Sequence, residues 1–204
     1  MTAGPSEAEP LAGPDELLDL LADLGRQPSC EGRGLSELDH LLQCAELLAR
    51  RHPEDSGLQL AGLVHDVGHR FGSDAEHGRL GAAMVGPVLG ERVALLVDAH
   101  VAAKRYLVTV DPAYRAGLSE DSLRTLALQG GPMARHELDS FAAAPWSEDA
   151  LALRRADDAA KVPGLRVPGL ARWSEVVAAQ AAAARREASA ATDPVAGSDG
   201  GTLT

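Results

Sequence analysis

Apolar residues recur along the chain at intervals of three and four, the period of helices that bury one face, and an alternation of period two is nowhere sustained. Residues 14–24 predict a first helix, with Pro14 in its first turn and Gly25 as its stop. Residues 26–34 hold Pro28, Gly32 and Gly34 and read as a loop. Ser36 then caps a helix carrying Leu38, Leu41, Leu42, Ala45, Leu47 and Leu48, which ends near His52-Pro53. From Gly57 the run LQLAGLVHDVGH is apolar on nearly every side, the pattern of a central buried helix, and places the doublet His65-Asp66 inside it. RFGSDAEHG reads as a loop containing His77, followed by LGAAMVGPVLG. ERVALLVDAHVAAKRYLV is a long helix with Val93, Leu96, Val97, His100 and Ala103 in one stripe.

Further on, DPAY reads as a turn, and a helix over about 120–129 opens at Ser119. Ser147 caps a helix over about 148–161 that stops before Pro163, and ARWSEVVAAQAAAARREASAA forms the last helix. Residues 1–13 read as a flexible lead-in, 14–182 as one folded domain, and 183–204 as a disordered tail ending in Gly-rich, polar sequence with little to bury.

At 204 residues the chain suits a single domain, and 45% hydrophobic against 24% charged residues is the balance of a soluble globular protein. Aromatics make up only 3%, so Leu, Val and Ala must fill the core, which favours close-packed helices and an all-α fold. The net charge of -11 and the lack of a Lys/Arg-rich run argue against nucleic acid as a partner. An anionic substrate must therefore be held by a few local cations or by metal. Charge interrupts every apolar stretch before the roughly 20 residues of a membrane span. The first residues show no export signal, and Cys30 and Cys44 form no CxxC pair, so a reduced, cytoplasmic protein is expected.

The chemistry centres on His65-Asp66, since a bare carboxylate in so apolar a run costs several kcal/mol unless it is paired or bound to metal. Each neighbouring element offers a further ligand: His40, His77, His100 and Asp157. Four imidazoles and two carboxylates suffice for two metals bridged by Asp66, with positions left open for substrate. Mixed N and O donors suit iron, manganese, zinc or nickel without choosing among them. A second set lies at helical spacing from these ligands. Lys104 is four residues after His100, Arg154 three before Asp157, and Ser122, Thr125 and Gln129 form a hydroxyl, hydroxyl and amide stripe, together a lining for a tetrahedral anion. The plain alternative for Lys104 and Arg154 is a salt bridge to Asp98 or Asp158.

LVHDVGH carries the doublet that gives the HD superfamily of metal enzymes its name. LSELDHLLQCAELL, LAGLVHDVGH, EHGRLGA, VDAHVAAKRYL, SLRTLALQGGPM and LRRADDAAKVPG, in this order over about residues 35–165, resemble the HD-domain mixed-valent di-iron oxygenases that cleave the carbon–phosphorus bond of α-hydroxyphosphonates. The resemblance implies an HD-domain helical bundle and two iron ions (Fe2+/Fe3+). One iron is held by His40, His65, Asp66 and Asp157, the other by Asp66, His77 and His100, with dioxygen as co-substrate. It also implies a small organophosphonate held by Lys104, Ser122, Thr125, Gln129 and Arg154, with His69 beside it. Asp66, His69 and Lys104 become the catalytic candidates, and a carboxylic acid and inorganic phosphate the products. The wider superfamily supplies two alternatives: a phosphohydrolase whose metals activate water against a phosphate ester or nucleotide, and a degenerate fold that only binds.

The sequence departs from the relatives that act on the α-hydroxylated aminoethylphosphonate. Where these carry a Tyr and a Glu, ten and seven residues before the first His ligand, the chain has Cys30 and Arg33, with Glu31 between. Arg33 beside the substrate disfavours an ammonium and suits a neutral or anionic end group.

Overall fold

Several helices start on a side-chain cap. In the computed structural model, which describes residues 9–26 and 34–192, Ser36 and Asp39 form a reciprocal capping box that opens α2 (Glu37–Arg51). The Asp55 carboxylate accepts the Leu58 N–H at 2.9 Å to start α3 (Ser56–Val64), after α1 (Pro14–Leu24) has begun on its proline. A 3-10 turn (Val67–Arg70) links α3 to α4 (His77–Leu89), and Gly90 joins α4 to the long α5 (Glu91–Val110). Asp111 caps the short α6 (Pro112–Gly117) and Ser119 caps α7 (Glu120–Leu128). α8 (Arg135–Ala143), α9 (Ser147–Ala159), a second 3-10 turn (Leu170–Arg172) and α10 (Ser174–Thr192) complete an all-α bundle, with no strand among the described residues.

The bundle is organised around α3, whose residues from Gly57 to Val64 are all buried. It packs against α2, α5, α9 and α10, while α5 lies along α4 and α9. Leu58, Leu60 and Leu63 are fully buried, each contributing about 1.5–3 kcal/mol of apolar burial. Small residues let the backbones close in. A Cβ on Gly62 would stand 2.6 Å from Leu48 Cδ1 and 3.4 Å from Ala45 Cα, so α3 lies close against α2 at this glycine. A Cβ on Gly68 would stand 2.0 Å from the His77 carbonyl oxygen and 2.7 Å from Gly81 N, so the turn can cross α4 this closely only with glycine there.

Several expectations are corrected. His65-Asp66 does not lie inside a helix: α3 ends at Val64, His65 is its cap, and Asp66 has φ -102° and ψ 2°. The physical gain is reach, because a helix splays adjacent side chains by about 100°, whereas the break lets both point into one space. His77 is the first residue of α4 and not a loop residue, DPAY continues into α6, and Trp146, not Ser147, is the N-cap of α9. α8 was not anticipated, since of its nine residues only Phe141 is buried and the apolar stripe is too short to register. The proposed domain edge at 182 falls within α10, which runs on to Thr192.

Candidate metal centre

Four imidazoles from four elements turn their Nε2 atoms toward Asp66. His40 comes from the buried face of α2, His65 from the end of α3, His77 from the start of α4 and His100 from the middle of α5, and all four are buried. Each is anchored through Nδ1 to a backbone carbonyl: His40 to Ala160 at 2.9 Å, His65 to Gly62 at 3.0 Å, His77 to Asp74 at 2.8 Å and His100 to Val97 at 2.5 Å. A carbonyl only accepts, so each Nδ1 carries the proton, and a neutral ring then presents a bare Nε2 lone pair to the centre.

The carboxylate of Asp66 divides the cluster into two halves. Its Oδ2 lies 3.3 Å from His65 Nε2 and 3.6 Å from His40 Nε2, and Asp157 Oδ1 closes this half at 3.3 Å from His40 Nε2 and 3.6 Å from His65 Nε2. Its Oδ1 lies 3.5 Å from His77 Nε2 and 3.7 Å from His100 Nε2. His69 joins the second half, with Nε2 3.7 Å from the same oxygen and its ring stacked on His77 at 3.9 Å between centroids. The first half brings four donor atoms, and the triad of Asp66, His69 and His77 three, within 4.8 Å of one another. Separations of 3.3–3.7 Å are too long for a mutual hydrogen-bond network and span the diameter of an ion bound at about 2.0–2.2 Å.

The two halves differ in their electrostatics. Burial pushes His77 down to about 4 and holds His100 low as well, so both rings are neutral, yet their Nε2 atoms face each other at 2.9 Å. Burial also works against charge on His40, but the carboxylates of Asp157 and Asp66 outweigh it and lift the ring to about 9, and His65 is raised in the same way. Asp66 and Asp157 stay ionised despite burial, the first through His65 and His40, the second through Arg154 and Lys161. The neutral rings of His77 and His100 aim lone pairs at Asp66, and those of His40 and His65 do the same once an ion displaces the protons that the carboxylates hold there, so the donor chemistry is that of a metal site.

A small polar cavity opens beside the second half. It is lined by Asp66, His69, His77, His100, Lys104, Ser122, Thr125, Gln129, Arg154 and Asp157, which brings the expected anion-binding residues against the expected ligands. Lys104, 3% exposed, does not pair with Asp98; its ammonium donates to Thr125 Oγ1 at 2.6 Å and to Gln129 Oε1 at 3.1 Å. Arg154, 5% exposed, bonds Asp157 Oδ2 at 2.5 Å, holds Asp158 through two nitrogens and donates from Nε to the Tyr114 hydroxyl at 3.0 Å. The salt bridge to Asp158 and a place at the cavity are thus both realised. Cys30, Glu31 and Arg33 lie outside the described residues.

Sequence reasoning missed Lys161, Asp74, Asp121 and Arg124, all of which line the cavity. Lys161 carried a usable signal: it stands four residues after Asp157, the spacing that picked out Lys104 after His100, and its Nζ is 3.3 Å from Asp157 Oδ1. Asp74 had none, being a loop residue whose role depends on where α7 folds back.

Residues 38–157 match the HD domain family. Over 165 residues the chain is 37% identical to the hydroxymethylphosphonate dioxygenase of Gimesia maris, covering 76% of this chain and 81% of that protein. It is 33% identical over 147 residues to the glycine-betaine-forming 1-hydroxy-2-(trimethylamino)ethylphosphonate dioxygenase of Leisingera caerulea, covering 67% of this chain and 74% of that protein. No described helix is long and apolar enough to cross a membrane.

Proposed function

The chain belongs to the HD-domain family, and from that membership we propose that it is a di-iron oxygenase that uses dioxygen to cleave the carbon–phosphorus bond of a small α-hydroxyphosphonate, giving a carboxylic acid and inorganic phosphate. The observation that carries the reading is the division of the Asp66 carboxylate, one oxygen toward His40, His65 and Asp157 and the other toward His77 and His100, beside a cavity with buried cations. Two irons in these halves supply the one-electron redox chemistry and dioxygen activation that carbon–phosphorus cleavage requires.

The chain's own residues supply the rest. Lys104 and Arg154 offer N–H donors to a phosphonate dianion, and being buried they do so where each charge-assisted bond is worth more than at the surface. Ser122, Thr125 and Gln129 complete the lining and fix orientation, so that the hydroxyl-bearing carbon faces the metals. His69, stacked on His77 at the cavity wall, stands where a proton on the α-hydroxyl would be handled. With Arg33 at the place of the amine-reading acid, the end group is neutral or anionic, and hydroxymethylphosphonate, which has none, is the first substrate to test.

The experiment is to load the protein with iron(II), add hydroxymethylphosphonate and follow dioxygen, formate and phosphate together. Equal consumption of dioxygen and release of both products supports the oxygenase. Phosphate released under nitrogen, or from phosphate esters, identifies a phosphohydrolase instead.

A further inference from the structure

α7 and its C-cap carry Ser122, Thr125 and Gln129 into the cavity, yet only Ser122 and Leu126 of the helix's nine residues are buried. So little buried surface holds a helix weakly, and its place depends on polar ties. One tie is to Lys104, through Thr125 and Gln129. The others meet at one residue of the segment before α4. The Asp74 carbonyl accepts the Gln129 side-chain N–H at 3.1 Å as well as the His77 Nδ1–H, its Oδ2 accepts from Arg124 Nη1 at 3.0 Å, and its Oδ1 lies 3.5 Å from His69 Nδ1. Asp74 therefore touches two imidazoles of the metal centre, the Arg124 side chain of α7 and the Gln129 side chain at its C-cap.

Its charge is in the wrong place for an anion cavity. Asp74 and Asp121 both line that cavity, and Arg124, more than half exposed, lies 3.0 Å from one carboxylate and 3.7 Å from the other. A carboxylate facing a bound dianion weakens binding unless it does something else that outweighs the repulsion.

We infer that Asp74 is a positioning residue that docks α7 onto the metal end of the cavity, so that anion affinity depends on it although its own charge opposes the anion. The inference rests on the proposal that an anion occupies this cavity and adds which residue assembles its wall. Electrostatics and docking predict opposite signs: removing a negative charge beside an anion tightens binding, whereas undocking the helix that supplies the hydroxyl and amide donors loosens it.

The test uses the full-length protein loaded with iron(II) under nitrogen, with inorganic phosphate as the probe and calorimetry as the readout. Docking predicts that Asp74→Ala, which removes the carboxylate ties to Arg124 and His69 and leaves the carbonyl to Gln129 and His77, weakens phosphate binding about fivefold, and that the Asp74→Ala and Arg124→Ala effects combine to less than their sum because the two share one contact. Hydrogen exchange over Glu120–Leu128 should quicken severalfold in Asp74→Ala, a change that charge removal alone does not produce. Should Asp74→Ala fail to fold, Asp74→Leu, of similar size and without an acceptor for Arg124, carries the same prediction. Unchanged or tighter phosphate binding with unaltered exchange in a folded variant overturns the inference and leaves the oxygenase proposal standing. A wild-type protein that binds no phosphate at all removes the premise that an anion occupies this cavity, and the inference with it, while the oxygenase reading stands or falls on turnover.

Discussion

His77 and His100 meet Nε2 to Nε2 at 2.9 Å, each with its other nitrogen tied to a backbone carbonyl. Both rings are neutral by burial, so the contact sets lone pair against lone pair and against Asp66 Oδ1. A metal ion relieves this, and stripping it should cost stability. With free ion at roughly a hundred times its dissociation constant, chelation is expected to remove about 3 kcal/mol, seen as a lower melting temperature that iron(II) restores.

The two halves should empty separately. Asp157→Ala is expected to release the ion beside His40 and His65 and keep the other, His100→Ala to do the reverse, and Asp66→Ala to lose both, because its two oxygens serve different halves. Elemental analysis of the purified variants checks this, and an Asp66→Ala protein with full metal content excludes the bridging role.

Gly68→Ala tests how the second half is built. The added Cβ meets the His77 carbonyl at 2.0 Å, a backbone atom that cannot swing aside, so α4 must shift and carry His77 with it. A loss of about 2–3 kcal/mol is expected, or a melting temperature lower by roughly 5 °C or more, together with reduced metal content. A variant as stable as wild type shows that the turn can move away from α4.

Lys104 should impose a pH limit on anion binding. Burial, reinforced by the charge of Arg154, pushes its ammonium down to about 8, so in the free protein the cation is present below that pH and lost above it. Phosphate affinity and the KM for a phosphonate should worsen as pH rises through about 8, by at most about tenfold per unit. The stability effect has the opposite sign. The unfolded chain keeps its proton up to the ordinary value of 10.5 while the folded chain has given it up, so this residue makes the protein more stable as pH climbs between the two. Lys104→Met should flatten both dependences, measured by calorimetry and by denaturant melts across pH.

Much of this was legible in the chain because the motifs obey local rules. α1 lies at residues 14–24 as read from Pro14 and Gly25, and the i+4 and i−3 spacings of Lys104 and Arg154 from His100 and Asp157 bring those cations to the ligands. Illegible features depend on contacts distant in sequence or on breaks in periodicity. Apolar patterning continues through His65 without marking the helix end, because burial on all sides looks the same for a helix and for a tight turn in the core. Asp74 and Tyr114 act across gaps of 55 and 40 residues to Gln129 and Arg154, which no spacing rule reaches. The metal was legible only as a donor set, since imidazole and carboxylate accept several ions.

Three of the four imidazoles are held by the carbonyl three residues earlier in the chain, His65 by Gly62, His77 by Asp74 and His100 by Val97, whereas His40 is held by Ala160, 120 residues away. The donors of the two halves are therefore complete at different points along the chain. Asp66, His77 and His100 fall within one 35-residue stretch, so a nascent chain that has emerged only through α5 already owns a complete set of donors for one ion. The neighbouring half is complete only when α9 has brought Asp157 and its C-cap Ala160 the carbonyl that steadies His40, so one site is local in sequence and the other spans the whole domain.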